Sequence, residues 1–320
     1  MNTDLLRQRA RFIQSTRQFF IDRGYLEVET PLLSPFLLPE PSLEVFETAY
    51  VDFQGDRHPL YLIPSPELWM KRLLAAGSGS LFQITKSFRN IESLEKYHNP
   101  EFSLLEWYTV DHDYMDSVGV LEELLSHLCA GAEANRKLCP PCRRLSMREA
   151  FRMAAGLDLD NLMEWENLYR AGKSMNLSVG EMESWETIFN KIFLTYVEPA
   201  LPAECPLILF DYPAEIPTLA RQRGMYSERW ELYINGIEIA NCYTEETSSE
   251  AVERFIRSER LRKEHGRIPH RVDWDFPLLF KEDYPDCSGV ALGMDRLFMV
   301  ISGMSSIDGV IAFPLSKIMT

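Results

Sequence analysis

Apolar pairs recur near the start of the chain at Leu5-Leu6, Phe12-Ile13 and Phe19-Phe20. This spacing predicts an amphipathic helix over residues 4–22, and Gly24 is placed to end it. Alternation over residues 25–33 predicts a strand, which Pro31 confines to an edge or a strand end. Residues 34–45 are proline-rich and read as an ordered loop. Residues 50–53 and 60–63 read as two strands around a polar turn containing Gly55 and Asp56. Ser65 suits an N-cap and Pro66 the first position of a helix, LWMKRLLAA, running to Gly77. Glu67 complements the positive end of that helix dipole.

Residues 82–108 are apolar at both ends and polar in the middle. Phe82, Ile84 and Phe88 alternate with polar neighbours, and so do Phe102, Leu104, Trp107 and Tyr108. The pattern predicts two antiparallel strands joined by a long polar loop. A helix follows over residues 116–130, a loop over 131–144, and mostly helical spacing over 145–225, where no chemistry stands out. Residues 131–205 read as an insertion. Residues 208–213, ILFDYP, read as a buried strand. Asn235-Gly236 between two alternating runs predicts a β-hairpin with a two-residue turn. That turn would set Tyr233 opposite Glu238 and Glu231 opposite Ala240. Residues 248–266 read as a charged helix, and Arg296 opens an apolar helix near the C-terminus.

The chain has 320 residues, 46% of them apolar, with no apolar run long enough to span a membrane. The N-terminus has no signal core, so a cytoplasmic location is the default. The net charge of −15 argues against a wide nucleic-acid grip, which usually needs a basic surface. It suits a small cationic substrate drawn into an acidic cleft. Cys139-Pro-Pro-Cys142 has redox or metal-ligand spacing, but a single such pair reads better as two reduced thiols in a turn.

The candidate chemistry lies on the strand ends. Arg89 offers a fork of donors for phosphate or carboxylate. Phe102 offers a flat face for a purine. Glu106 and Tyr108 share parity and so point to one face of their strand, where they could hold a cation. Taken singly, Arg89 and Glu106 could be solvated strand ends and Phe102 core; the ordered set argues otherwise. Glu231 and Glu238 would lie diagonally across the hairpin, roughly 7–8 Å apart at the backbone. That spacing lets long carboxylates converge on a hard cation. Gly289 and Gly293 permit close backbone approach to a ligand. Arg296 sits near a helix N-terminus, where phosphate binds well.

In this order the segments resemble motifs 1, 2 and 3 of the class II aminoacyl-tRNA synthetases. HNPEF followed by LLEWY resembles the lysyl branch, and most of all its truncated paralogues that attach (R)-β-lysine to elongation factor P. The resemblance implies an α+β fold, an antiparallel sheet flanked by helices, in a homodimer built through motif 1. It also implies a single catalytic domain without an anticodon-binding domain. ATP would meet Arg89, Asn90, Glu92, His98, Asn99, Phe102, Glu238, Gly293 and Arg296. Mg²⁺ would sit on Glu231 and Glu238. Ser65, Glu67, Glu106, Tyr108, Asn241, Glu245 and Ala291 would read lysine or (R)-β-lysine. Arg89 and Arg296 would be catalytic.

One departure matters. Arg89-Asn90-Ile91-Glu92 replaces the family's Arg-x-Glu, so a bulge must restore Glu92 or its contact is lost. By strict alternation Asn241 faces away from Glu238 unless a bulge or the strand's end turns it around. Ala291, where lysyl enzymes usually have Gly, and the acidic charge move the expected acceptor from tRNA to elongation factor P. A tRNA or free-amine ligase, and a non-catalytic amino-acid sensor, remain as alternatives.

Overall fold

The computed structural model describes residues 3–40, 43–129, 138–264 and 266–319. In chain order the elements are α1 (Thr3–Asp22), β1 (Leu26–Glu27), β2 (Leu33–Ser34), β3 (Phe46–Val51), β4 (Arg57–Leu62), α2 (Glu67–Ala75), β5 (Leu81–Phe88), β6 (Glu101–Val110) and α3 (Asp116–Cys129). Then follow β7 (Arg143–Ser146), α4 (Met147–Ala155), α5 (Trp165–Ser174), α6 (Trp185–Ile192), β8 (Leu207–Pro213), β9 (Gln222–Arg223), β10 (Tyr226–Ile234), β11 (Ile237–Thr244), α7 (Ser249–Lys263), β12 (Cys287–Gly293) and α8 (Met294–Ile301).

Among the described residues, one large sheet runs in the order β1-β5-β6-β12-β11-β10-β8-β7, with β9 beside β10. Its central pairs are antiparallel, while β1 on β5 and β7 on β8 are parallel. This is the expected α+β sheet flanked by helices.

Alternation gives each central strand one apolar face. Leu105 and Trp107 of β6, Val290 and Leu292 of β12, Cys242 of β11 and Trp230, Leu232 and Ile234 of β10 share one core with α1 and α3. Phe20 of α1 stacks on Phe82 with ring centroids 4.9 Å apart. The residues of opposite parity face the other side, and there the polar candidates gather. At the far edge that side is covered by α4–α6, which pack on Leu207, Leu209 and Tyr233. At the near edge β2–β4 and α2 stand beside it.

Several expectations need correction. The strand expected over residues 25–33 is only β1 and β2, because Pro31 lies between them and offers no N–H. Of the loop expected over 131–144, residues 131–137 lie outside the described part, as does residue 130 of the helix expected over 116–130, and residues 143–144 belong to β7. The stretch 145–225 also contains β9, while β8 is the buried strand expected over residues 208–213. In α2 the N-cap is Pro66, one residue later than expected. Ser65 still accepts a bond from the Glu67 N–H at 3.1 Å, but its hydroxyl proton is directed elsewhere. The six cysteines are free thiols.

Candidate active site

Strand register builds the site as two rows. Glu106 of β6 lies opposite Ala291 of β12, which lies opposite Asn241 of β11, which lies opposite Glu231 of β10. The next row is Tyr108, Gly289, Tyr243 and Arg229. Asn241 joins this face through a bulge. Tyr233 pairs with Glu238 as expected, but the register then shifts, so Leu232 meets Ala240 and Glu231 meets Asn241 rather than Ala240. Ile239 and Ala240 consequently both enter the apolar core, although they are consecutive. The bulge thus returns Asn241 to the face that carries Glu238.

Three carboxylates crowd one end of the cavity. Ser65 Oγ donates to Glu106 Oε2 at 2.6 Å and Tyr108 Oη donates to Glu106 Oε1 at 2.7 Å. Lys71, buried in α2 one turn after Glu67, donates to Glu67 Oε1 at 2.5 Å and lies 2.6 Å from Glu245 Oε2. Burial and then the Glu67 charge push the Glu106 carboxyl up to about 8, although Ser65, Tyr108 and Lys71 oppose this. Burial pushes Glu245 up to about 7, with Lys71 opposing and Glu67 adding to the shift. Burial works against the charge on Lys71, but Glu245 and Glu67 outweigh it and hold its pKa above the ordinary lysine range. More acid than base is gathered here, an arrangement suited to ammonium groups.

The other end carries the arginines. Arg89 follows β5, its guanidinium 5.3 Å from the centroid of the Phe102 ring, and its Nε is buried without a partner among the described residues. Arg296, in the first turn of α8, donates Nε to the Tyr97 carbonyl at 3.2 Å and Nη1 to the Glu238 carbonyl at 3.0 Å. Its Nη2 is 3.0 Å from His98 Nε2. Burial and the Arg296 charge lower the His98 pKa, so the ring accepts that bond in its neutral form. Phosphate oxygens could replace the carbonyls and imidazole that occupy Arg296.

The remaining expected residues fall as follows. Ile91 takes a left-handed φ of 58°, and this turns Glu92 onto the cavity wall, 4.0 Å from His98. The extra residue of the loop is absorbed there. Asn90 is not on the wall; its amide donates to the Val45 carbonyl at 3.2 Å. Asn99 lines the cavity, but its amide is tied to the backbone of Glu101 and Leu315. Gly293 lines the cavity with room for a Cβ, whose nearest neighbour would be the Ile239 carbonyl at 3.6 Å. Ala291 lines it between Asn241 and Glu106.

The two candidate cation ligands differ. Glu238 presents its carboxylate to the cavity, 3.6 Å from Arg296. Glu231 lies behind it and accepts bonds from Tyr212, from Tyr233 at 2.8 Å and from Arg229 at 2.5 Å. Burial and then the Glu231 charge push the Glu238 carboxyl up to about 7, a repulsion that a divalent cation would relieve. Glu238 therefore fits a hard cation that takes one or two carboxylates plus phosphate oxygens. Among the described residues no cluster of three or more His, Cys, Asp or Glu forms a metal cage.

Sequence reasoning missed Lys71, Glu40 and Tyr243 as site residues. Lys71 carried a signal, because it stands four residues after Glu67 on a helix. Glu40 and Tyr243 carried none: both line the cavity, and only the folded chain brings them there.

Residues 1–317 match the family model described as tRNA synthetases class II (D, K and N). The elongation factor P–(R)-β-lysine ligase of Yersinia enterocolitica is 38% identical, the match covering 98% of this chain and 95% of that protein. Proteins of the same name from Avibacterium paragallinarum and Vibrio atlanticus are each 36% identical, over 98% of this chain and 95% and 96% of theirs. Similarity of this degree over nearly the whole length places the chain in the class II tRNA synthetase family of the D, K and N type, within the group of elongation factor P–(R)-β-lysine ligases.

Proposed function

We propose that the protein activates (R)-β-lysine with ATP and transfers it to a lysine side chain of elongation factor P. The observation that carries this reading is the division of one cavity into an acidic end and an arginine end. An amino acid with two ammonium groups and one carboxylate fits across that division. Glu67, Glu106, Glu245 and Asn241 bind the ammonium groups. Arg89 receives the carboxylate together with the α-phosphate.

In the first step the amino-acid carboxylate attacks the α-phosphorus in line, forming the acyl–phosphate bond and releasing pyrophosphate. Arg89 orients the two reacting groups and stabilises the charge that develops between them. Arg296 exchanges its carbonyl and imidazole partners for the departing phosphates. Phe102 stacks on adenine, with His98, Asn99 and Glu92 around it. Mg²⁺, held by Glu238 with Glu231 behind it, would supply charge neutralisation of the phosphates. No side-chain nucleophile is needed. In the second step an acceptor amine attacks the activated carbonyl and AMP leaves.

The net charge of −15 supports a protein rather than a tRNA acceptor. Ala291 supports the β-lysine preference, since one methyl in the row between Asn241 and Glu106 is worth about 1–3 kcal/mol of discrimination. Among the described residues no helix is long and apolar enough to cross a membrane.

Amino-acid-dependent ATP–pyrophosphate exchange tests the reading, with (R)-β-lysine compared against α-lysine and the other standard amino acids. The expected result is exchange that favours (R)-β-lysine. Preference for α-lysine would remove the Ala291 argument and reopen tRNA as acceptor. Absence of exchange with every amino acid would overturn the ligase reading.

A further inference from the structure

Four carboxylates reach the cavity around α2, β6 and β11: Glu40, Glu67, Glu106 and Glu245. Three are engaged. Glu67 and Glu245 share Lys71, and Glu106 takes the protons of Ser65 and Tyr108. The Glu40 carboxylate has no hydrogen-bond or ion-pair partner among the described residues.

The described residues on either side of it are nevertheless held. Leu37 N–H donates to the Arg271 carbonyl at 2.9 Å, and Leu43 N–H to the Glu40 carbonyl at 3.1 Å. Glu44 accepts from the N–H groups of Arg267 and Ile268 and from Lys263, and Asn90 N–H donates to its carbonyl at 2.7 Å. A carboxylate without a partner among the described residues is thus carried at the cavity wall between segments anchored at Leu37 and at Leu43–Glu44. The charged and titratable groups acting on it are Glu67 and Lys71 of α2, Arg89 after β5 and Lys263 of α7, with Tyr243 of β11 across the cavity.

The transfer step needs such a group. A lysine side chain arrives as an ammonium, which has no lone pair for attack. It must lose a proton to a base poised near the working pH. Glu67, Glu106 and Glu245 are committed to their partners and to the first substrate.

We propose that Glu40 is the base of the transfer step, receiving the acceptor ammonium and taking its proton. This rests on the ligase reading given above. The ammonium gives one proton to the Glu40 carboxylate and becomes a neutral amine. The amine nitrogen forms the C–N bond to the adenylate carbonyl carbon, and the bond from that carbon to the phosphate oxygen breaks. AMP leaves with the electron pair. The second proton on nitrogen passes to the departing phosphate or to water, giving a neutral amide. Burial, with the Glu67 charge next, pushes the Glu40 carboxyl up to about 7 against the pull of Arg89, Lys263 and Lys71. This is a suitable range for the task.

The test separates the half-reactions in Glu40→Gln. Exchange with (R)-β-lysine reports adenylate formation. Hydroxylamine capture reports the adenylate's reactivity toward an amine that is already uncharged at neutral pH. Single-turnover transfer to purified elongation factor P reports the proposed step. Transfer is expected to fall roughly 10²-fold or more relative to exchange, while hydroxylamine capture follows exchange. The wild-type transfer rate should rise with pH through about 7, the value to which Glu40 is pushed, and Glu40→Gln should lose that rise.

Transfer that falls only in proportion to exchange would overturn the proposal. Parallel loss of exchange and hydroxylamine capture would make Glu40 a reader of the first substrate instead. A wild-type enzyme without exchange would overturn the ligase reading itself, and the proposal with it.

Discussion

At Gly289 the backbone is unremarkable and space alone excludes a side chain. A Cβ there would lie 2.3 Å from Glu245 Oε1 and 2.5 Å from Tyr108 Cε1. Gly289→Ala must therefore displace a carboxylate or the phenol that bonds Glu106. We expect kcat/KM for the amino acid to fall roughly 10²-fold, as for misplacements on the order of 1 Å, with little change in KM for ATP. Equal losses for both substrates would place the effect in folding instead. The sequence marks this glycine as a point of close approach, but the approaching groups come from a different strand and from beyond the end of β11. Ile91 shows the same boundary. Its extra residue is visible in the sequence, but its left-handed φ of 58° is not. A β-branched residue rarely adopts that conformation, and it is this turn that brings Glu92 to the wall.

Among the elements, the hairpin of β10 and β11 was legible in its turn and in the pairing of Tyr233 with Glu238. The bulge was legible only as one of two ways to turn Asn241 around, because a register shift leaves no mark on hydrophobic alternation when both residues at it, Ile239 and Ala240, are apolar. The first elements raise a different matter. Ile21, Leu26, Leu32 and Leu33 are exposed along the end of α1, β1 and β2, and β1 is an edge of the sheet. Such an edge is usually covered. We propose that a second copy of the chain covers it, as motif 1 implies. Light scattering should return the mass of two chains for the native protein, and of one for Leu26→Asp with Leu33→Asp. A native protein of single-chain mass would refute the proposal.

The whole molecule carries a charge imbalance that pH should reveal. Glu40, Glu238 and Glu245 are each pushed up to about 7 and Glu106 to about 8. Their pKa values are raised in the folded state, so between the ordinary glutamate value of 4.5 and about 8 these four carboxyls bind more protons in the native protein than in the unfolded chain, and they outnumber His98 and His270, whose lowered pKa values act the other way. Stability then falls as pH rises through this window. Glu44 and Glu149 are shifted the other way and act at lower pH, where their contribution is lost as they are protonated. For the ligand-free enzyme, Tm should fall between about pH 5 and pH 8. A saturating amino acid with two ammonium groups should raise Tm more at the upper end, where the carboxylates it meets are ionised. Differential scanning fluorimetry across that range checks both statements, and a rising Tm without ligand would contradict the first.

The local elements and the order of the candidate groups can be read along the chain. Periodicity marked α1, the strands on either side of the polar loop and the Asn235-Gly236 hairpin. Residue types marked Arg89, Glu106, Glu238 and Arg296. These are local properties, since propensity, parity and turn chemistry act within a few residues. Assembly of the sheet sets which strands lie side by side, and so which side chains form a row. It set Ala291 between Asn241 and Glu106, placed Lys71 between Glu67 and Glu245, brought Glu40 in from a proline-rich loop and enclosed Glu231 with Arg229 and two tyrosines. Burial, charge balance and the pKa shifts that follow from them are sums over neighbours distant in sequence. The acid–base character of the cavity therefore arises only when the strands are assembled.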